Sequence, residues 1–282
     1  MKTRHSAVTL YIMLFLISTC LPAAAHNLWL NPADHFPQVG TTVDIGIGWG
    51  HKYPADRIDQ EVKEDRVQEI SAVDPDGLTT ALTKVSPALY KLSVDKAGAY
   101  LVTAKIKSGS FTMTAEGRKW GDRKAVADPI KCVNYHIEAK TVILAGGSNG
   151  NLGFATGQPL EVIPLTDLNS LKNGGKLDVK VLFQGRPLAN AAVRATYAGF
   201  AMPDIAPHGS SEKGGKKANK KGVKKAKKHY PVETVTDDQG QATVQVNKAG
   251  YWIILLSHKP PYPDKETCDQ YMYNQAFTFQ VR

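Results

Sequence analysis

The segment Thr41-Thr42-Val43-Asp44-Ile45-Gly46-Ile47-Gly48-Trp49 carries the pattern that decides the fold class. Apolar side chains stand at every second position, with small or polar residues between them. A period of two is typical of a half-buried β-strand. We expect this strand to end at the turn Gly50-His51-Lys52-Tyr53-Pro54, because proline has no backbone N–H to donate to a neighbouring strand.

The same alternation recurs at short intervals on both sides of this segment. Turn-forming residues such as Pro75-Asp76-Gly77 and Asp237-Asp238-Gln239-Gly240 separate the alternating stretches. The strands predicted in this way cover residues 67–73, 88–94, 97–106, 110–115, 132–144, 159–164, 177–183, 191–197, 242–246, 250–256 and 277–281. Many short strands joined by polar turns predict an all-β protein made of antiparallel sandwiches.

A glycine-rich segment at residues 145–150 divides the chain into two halves. We therefore expect two immunoglobulin-like or transthyretin-like sandwiches in tandem, over residues 26–150 and 151–282. The second half resembles transthyretin-like and carboxypeptidase-regulatory domains through Gly185-x-Pro187-x-x-x-Ala191-x-Val193 and Thr236-Asp237-x-x-Gly240. These motifs describe a scaffold and carry no information on chemistry.

Almost all of the formal net charge of +9 comes from one segment. Nine lysines and one glutamate give residues 212–229 a charge of +8, residues 1–25 add +2, and the rest of the chain carries −1. A nearly neutral body argues against a nucleic-acid-binding surface. Residues 208–229 have little to bury, so we expect a disordered insertion in the second domain. It is either a solvated loop or a contact with an anionic surface.

Residues 1–25 fit a secretory signal peptide. A basic start is followed by the apolar run 11–17, which is too short for the roughly 20 residues that span a bilayer, and by Ala23-x-Ala25. A membrane anchor and a lipoprotein attached at Cys20 are the alternatives. We expect cleavage after Ala25 and a periplasmic protein. Its two remaining cysteines, Cys132 and Cys268, then form a disulfide or stay as buried thiols.

Cleavage after Ala25 would make His26 the first residue of the mature chain. A terminal histidine offers a metal two nitrogen donors, the α-amine and the imidazole, and both can be neutral near pH 7. Donors of this kind suit nickel, cobalt, copper and zinc, and their chemistry does not choose among them. We therefore predict a transition-metal site that begins at His26.

Two further histidines are candidate ligands. His51 follows the strand 41–49 in a turn, where a rigid element holds it. His136 lies in the strand 132–144 on the face of Asn134 and Glu138, opposite Val133. Weaker candidates are the loop histidine His35, which we expect to be exposed, His258 at a strand end, and His208 and His229 beside the lysine-rich segment. The sequence lacks a Gly-x-Ser-x-Gly elbow, a phosphate loop and a Cys-x-x-Cys pair.

Three motifs together resemble a family of exported bacterial proteins with a domain-of-unknown-function label, associated with periplasmic nickel or cobalt uptake. They are Ala25-His26-Asn27-Leu28-Trp29-Leu30-x-Pro32, Gly50-His51-x-Tyr53-Pro54 and Pro260-x-Tyr262-x-Asp264-x-x-x-Cys268-Asp269. The resemblance implies a two-domain β protein that captures Ni²⁺ or Co²⁺ and passes it to a membrane uptake transporter. It supports His26 and His51 as ligands, while the lysine-rich insertion departs from the family pattern.

Two other functions remain open from the sequence. An N-terminal histidine with a second histidine on a β-sandwich resembles the histidine brace of copper-dependent polysaccharide oxygenases, although a copper carrier would have the same ligands. The sequence shows no aromatic substrate platform distinct from core residues, which argues against an oxygenase. The second domain alone would suit a structural or adhesive surface module, which predicts no tight metal binding.

Overall fold

The regular secondary structure of the described residues is almost entirely β-strand, and the prediction of an all-β sandwich protein is confirmed. A computed structural model describes residues 27–50, 53, 62–200 and 230–282. Within them, the helical content is one 3-10 turn at Glu64–Arg66. In this described part of the chain, no helix has the length and apolar character needed to cross a membrane.

The strands form two small sheets and one large sheet. The N-terminal sheet contains, in spatial order, β1 (Asn27–Pro32), β2 (Thr41–Gly50), β6 (Leu89–Val94) and β5 (Leu82–Ser86). The C-terminal sheet contains β11 (Leu160–Pro164), β12 (Lys176–Phe183), β13 (Arg186–Pro187) and β16 (Gln241–Gln245). The central sheet contains β15 (Val232–Val235), β14 (Ala192–Tyr197), β17 (Gly250–His258), β18 (Gln270–Val281), β10 (Lys131–Ala145), β7 (Gly98–Ile106), β3 (Val67–Val73) and β4 (Thr79–Thr80), with β8 (Gly109–Thr114) and β9 (Gly117–Trp120) beside β10.

The central sheet takes strands from both halves of the chain. β10 and β18 pair in parallel, with His136 opposite Tyr273 and Ile137 opposite Asn274. The other strand pairs in the described residues are antiparallel. The division into domains at residues 26–150 and 151–282 stays a prediction, and strands from both sides of it share this one sheet.

The two small sheets pack on opposite faces of the central sheet. Neighbouring residues of a strand point to opposite faces of the sheet, and the residues of β10 show what packs on each face. Ile143 lies in a core with Leu30 and Ile47 of the N-terminal sheet. Val142 and Leu144 lie in a second core with the C-terminal sheet. Both faces of β10 are therefore buried over its second half.

A disulfide joins the start of β10 to the segment before β18. Of the two alternatives that the sequence left for these cysteines, a disulfide or two buried thiols, the structure has the disulfide. Cys132 and Cys268 are bonded, with their Cα atoms 4.8 Å apart. The next residue, Asp269, accepts a hydrogen bond from the backbone N–H of Cys132 at 2.7 Å and pairs with Arg123 at 2.9 Å. These contacts lie where the parallel pairing of β10 and β18 begins.

The predicted strands agree with the observed ones in most places. β2, β3 and β14 lie within one residue of the predicted ranges. β18 begins at Gln270, seven residues before the predicted start at 277. The expected lysine-rich insertion at 208–229 and the expected signal peptide at 1–25 lie outside the described residues.

Candidate functional site

The N-terminal end of β1 lies beside the C-terminal end of β2. Asn27 is paired with Gly50, and Leu28 with Trp49, in an antiparallel register. Leu28 and Trp49 are both buried in the core under the N-terminal sheet. The chain next to His26 and the chain next to His51 therefore meet at one place, although both histidines lie outside the described residues.

Trp29 and Tyr53 fix the backbone on either side of this place. The indole of Trp29 lies over Gly48, where a Cβ atom would come within 2.0 Å of the ring. The ring of Tyr53 meets Trp29 edge to face at 5.5 Å, and its hydroxyl donates to the backbone carbonyl of Trp252 at 3.3 Å. Burial raises the pKa of the Tyr53 phenol, which stays protonated. His51 thus lies in sequence between two residues with defined partners, Gly50 and Tyr53.

Strand β1 rests on β18 of the central sheet. The hydroxyl of Thr278 donates to the backbone carbonyl of Leu30 at 2.7 Å. Ala276, two residues earlier on the same face of β18, belongs to the apolar cluster of Trp29. Asn274 is the next residue on that face, and its register partner Ile137 shares a core with Leu28. Asn274 therefore points to the face of the central sheet on which β1 packs.

Asn274 carries a buried amide oxygen that lacks a hydrogen-bond partner among the described residues. Its side chain is 7% exposed, and its Oδ1 atom has no hydrogen-bond partner in the part of the chain that the structure describes. Sequence reasoning missed this residue, because an asparagine between Tyr273 and Gln275 gives no signal of burial. The parallel pairing of β18 with β10 is what puts it in the interior.

His136 lies on the opposite face of the central sheet. Its ring stacks on Tyr273 at 4.7 Å, and its Nε2–H donates to Oδ1 of Asn134 at 2.9 Å. Burial lowers the pKa of His136. Tyr273 belongs to the core of the C-terminal sheet, so the central sheet separates His136 from β1. The structure does not bring His136 to the place where Asn27 meets Gly50.

The structure describes two of the weaker histidine candidates, His258 and His35. His258 ends β17 and packs edge to face on Phe183 at 4.5 Å. The prediction of an exposed His35 is wrong, because this residue is 2% exposed and its Nδ1–H donates to the carbonyl of Val142 at 2.7 Å. Burial lowers its pKa to about 4. His208 and His229 lie outside the described residues.

The described residues alone do not form a complete metal site. Within 27–50, 53, 62–200 and 230–282, no group of three or more His, Cys, Asp or Glu side chains is arranged to hold a metal ion. The predicted ligands His26 and His51 are outside these ranges. The described part of the chain shows the pairing of Asn27 with Gly50 and the burial of Tyr53.

An exposed aromatic patch lies on the same sheet face as β1. Trp120 is 61% exposed and meets Phe111 and Tyr135 edge to face at 6.4 and 6.0 Å. Arg66 and Arg118 lie over the rings of Trp120 and Phe111. Tyr135 packs against the core that contains Leu28. The sequence analysis did not identify this exposed aromatic patch.

The fold defines a class: an all-β sandwich protein with a disulfide between Cys132 and Cys268. The chain belongs to the family described as domain of unknown function DUF4198, whose model matches residues 23–260. No curated protein matches the chain.

Several solved structures resemble the chain weakly. A DUF4785 family protein from Legionella pneumophila is 13% identical over 88% of this chain and 54% of its own, with a TM-score of 0.21. Salmonella alpha-2-macroglobulin is 12% identical over 91% of this chain and 15% of its own, with a TM-score of 0.23. Fibronectin(III)-like modules of Clostridium thermocellum CbhA are 10% identical over 90% and 94%, with a TM-score of 0.21. The chain thus spans about half of the Legionella protein, and such low TM-scores carry no argument about function.

Proposed function

We propose that the protein is a periplasmic carrier of a transition-metal ion, Ni²⁺ or Co²⁺, which it delivers to a membrane uptake transporter. The α-amine and imidazole of His26 and the imidazole of His51 hold the ion. The observation that supports this proposal is the pairing of Asn27 with Gly50, the residues next to the two histidines. The likeness of residues 25–32 and 50–54 to a nickel- and cobalt-associated family supports the choice of cargo.

Covalent geometry limits how far apart these histidines can be. Each Cα atom lies 3.8 Å from that of its neighbour, so the Cα atoms of His26 and His51 are at most roughly 13 Å apart. Two imidazoles whose backbones lie within this distance are able to reach one ion.

The ligand chemistry fits a borderline divalent ion. An amine and two imidazoles are neutral nitrogen donors, which Ni²⁺, Co²⁺ and Cu²⁺ prefer over carbonyl oxygen. The α-amine titrates near pH 8 and the imidazoles near pH 6.5, so binding is expected to weaken as the pH falls below about 7. His136 does not belong to this proposal, because a whole sheet lies between it and β1.

A change at the start of the mature chain tests this proposal. We expect a form with one glycine before His26 to lose the amine chelate and to bind Ni²⁺ at least tenfold more weakly in calorimetry. His51→Ala is expected to have a similar effect, and His136→Ala is the matched control with unchanged affinity. Mass spectrometry of the exported form gives its first residue and any bound ion. Equal affinity with and without the added glycine would refute the proposal.

The lysine-rich segment supports an accessory role in delivery. Nine lysines in residues 212–229 would attract an anionic membrane surface, close to the transporter that receives the ion. Vesicles with and without anionic lipid separate this contact from a merely solvated loop. A form lacking residues 209–228 is expected to bind Ni²⁺ normally and to lose affinity for the anionic vesicles.

A copper-dependent oxidase of the histidine-brace type is the second candidate, and the aromatic patch favours it. Trp120 is exposed on the face of the central sheet that carries β1, and exposed indole rings are good surfaces for a stacked ligand. Oxygen consumption by the protein with Cu²⁺ and a reductant would support this candidate. In Trp120→Ala, we expect this oxygen consumption to be lost when a polysaccharide is present and kept when it is absent. Absence of copper-dependent oxygen consumption would rule out the oxidase and favour the metal carrier.

A further inference from the structure

A small cavity opens beside β10, at the edge of the strand that is not paired with β18. It has a volume of about 260 Å³, and its lining includes Gln68, Lys105, Ser108, His136, Glu138 and Pro159. At this edge β10 pairs with β7 through residues 138–145 and with β8 through residues 131–135. The chain between β7 and β8, at residues 107–108, is not paired with β10. The cavity lies at this change of strand partner, where the backbone leaves room for a ligand.

Glu138 is a buried acid without a counter-ion. It is 8% exposed, and its side chain makes no hydrogen bond or ion pair within the described residues. The other buried Asp, Glu and Lys side chains in that part of the chain are paired, Asp74 with Lys96 and Glu161 with Lys140. Charged side chains are almost never buried unless they are paired. Glu138 lines the cavity, so a ligand there is able to supply the missing partner.

The neighbours of Glu138 do not neutralise it. Lys105 lies opposite Glu138 in the register of β7 and β10, but its Nζ atom bonds to Oε2 of Glu69 at 2.7 Å. These three residues form one row across three strands, with two carboxyl groups and one ammonium group. Burial raises the pKa of Glu138 to about 7, Lys105 opposes the shift, and Glu161 and Glu69 add to it. A cation is the ligand that this charge balance favours.

His136 adds a second acceptor in a fixed orientation. The Nδ2–H of Asn134 donates to Oγ of Ser110 at 3.0 Å, so its Oδ1 atom accepts from the Nε2–H of His136 at 2.9 Å. In the neutral ring, Nδ1 is then the acceptor. The ring is held in place because it stacks on Tyr273 at 4.7 Å. His136 and Glu138 are two residues apart on one strand, so both side chains lie on the same face.

We propose that this cavity binds a small organic cation with a primary ammonium group, whose N–H groups donate to the carboxylate of Glu138 and to Nδ1 of His136. An ammonium group has three N–H donors and no acceptor, which suits a site with two acceptors. Its bond to a carboxylate is of the strong, charge-assisted kind. The volume of the cavity limits the ligand to about the size of an amino acid or a short diamine. This inference does not depend on the proposed metal carrier.

A metal ion fits the cavity less well than an ammonium group does. Glu138 and His136 supply two ligands, and no group of three or more His, Cys, Asp or Glu side chains in the described ranges is arranged to hold a metal ion. Zinc sites in proteins have three or four protein ligands. A neutral ligand fits less well too, because it would leave the carboxylate of Glu138 without a counter-ion.

The test uses 1,4-diaminobutane as the probe and the full chain at pH 8, where Glu138 is mostly ionised. The diamine has a primary ammonium group at each end, and butane-1,4-diol is the matched neutral control. We expect the diamine to shift the NMR signals of the His136 ring in a saturable manner, and the diol to leave them unchanged. Such a shift would place the ligand at the cavity, which His136 lines.

Glu138→Gln removes the charge and keeps the size of the side chain. We expect its affinity for the diamine, measured by calorimetry, to fall at least about tenfold. The variant should fold, because it removes a buried charge that has no partner. Glu266→Gln changes an exposed acid and is the matched control with unchanged affinity. His136→Phe keeps a ring beside Tyr273 and removes one acceptor, so the affinity should fall roughly three- to tenfold.

Equal affinity of Glu138→Gln and the original protein for the diamine would overturn the inference. Equal binding of the diol, or no saturable binding of the diamine, would overturn it as well. Binding of Zn²⁺ that is lost in both Glu138→Gln and His136→Phe, without binding of the diamine, would make the cavity a metal site instead. The two proposals fail separately, because the carrier is tested by Ni²⁺ affinity and the cavity by diamine affinity.

Discussion

Asn274 and Gln275 are neighbours on β18 and point to opposite faces of the central sheet. They differ in whether their buried side-chain oxygen has a hydrogen-bond partner. Gln275 accepts a hydrogen bond from the backbone N–H of Val162 at 2.7 Å and donates to Gln158 at 2.6 Å. Asn274 has no partner for its Oδ1 atom in the described residues. Both side chains are buried, so burial alone does not explain the difference.

The sheet face that carries Gln275 contains a polar network whose charged groups are paired. Lys140, with no exposed surface, donates to Glu161 at 2.6 Å, and Glu161 also accepts from the backbone N–H of Thr156 at 2.7 Å. Such closed networks hold a structure together. The face of Asn274, on which β1 packs, has an open acceptor in its Oδ1 atom. The comparison teaches that one face of β18 holds a closed polar network, whereas on the other face a buried amide oxygen has no partner among the described residues.

Breaking the closed network should have the largest effect. We expect Lys140→Met to lower the free energy of unfolding by about 3–5 kcal/mol, because it leaves the Glu161 carboxylate buried without its counter-ion. Urea denaturation at pH 7 measures the loss. Lys91→Met is the control, since the Lys91–Asp44 pair is exposed and should change stability by less than about 1 kcal/mol. Equal losses in the two variants would contradict the comparison.

Glu138 should make stability depend on pH. Burial raises its pKa to about 7 from 4.5, although Lys105 opposes the shift. The folded protein therefore holds this proton more tightly than the unfolded chain, and stability falls as the pH rises from about 4.5 through 7. Glu138→Gln should gain up to roughly 3 kcal/mol at pH 8 and almost nothing at pH 4.5. Denaturation at both pH values, with exposed Glu266→Gln as control, measures the gain. A gain of the same size at both would disprove the shift.

Gln275→Leu should behave oppositely to Asn274→Leu. It leaves the N–H of Val162 buried without an acceptor, so we expect a loss of about 2 kcal/mol in the free energy of unfolding. Asn274→Leu removes a group that is already unpaired and should not destabilise the metal-free protein. Thermal unfolding of the two variants in parallel tests this. If both lose stability alike, the distinction between the two faces is wrong.

The smallest effect is expected at the contact between β1 and β18. Thr278→Val removes the hydrogen bond to Leu30 and should cost about 1 kcal/mol. Thr243→Val, which removes a bond to the exposed carboxylate of Asp178, is the control with a smaller effect. Urea denaturation compares the two, and a cost for Thr243→Val that matches or exceeds that of Thr278→Val would refute the importance of this contact.

The sequence predicted strands wherever one face is polar and the other apolar. β2 and β12 have this alternation and were placed nearly to the residue. The first half of β18 was missed because Asn274 and Gln275 interrupt the apolar pattern although both are buried. A parallel partner strand buries such residues, and a strand pairing over this sequence distance leaves no local signal.

The candidate site was predictable only in part. Alternation correctly predicted that His136 and Val133 point to opposite faces of the sheet. Which of these faces packs against β1 depends on the tertiary structure, so the sequence pattern did not predict it. His35 is buried because its backbone segment lies along β10. Trp120 is exposed because β9 lies at an edge of the central sheet, where an indole has little to cover it. The roles of His26 and His51 remain predictions.

The parallel pairing of β10 with β18 has a consequence for how the chain folds. A ribosome completes β10 long before it makes β18, and the bonded cysteines beside the two strands are 136 positions apart. Until then β10 has an unpaired edge, the kind of edge that recruits strands from other molecules. Contacts between distant positions also form slowly. Nascent molecules that stop before the last strand should therefore aggregate, and a chaperone that covers this edge should raise the yield of native protein.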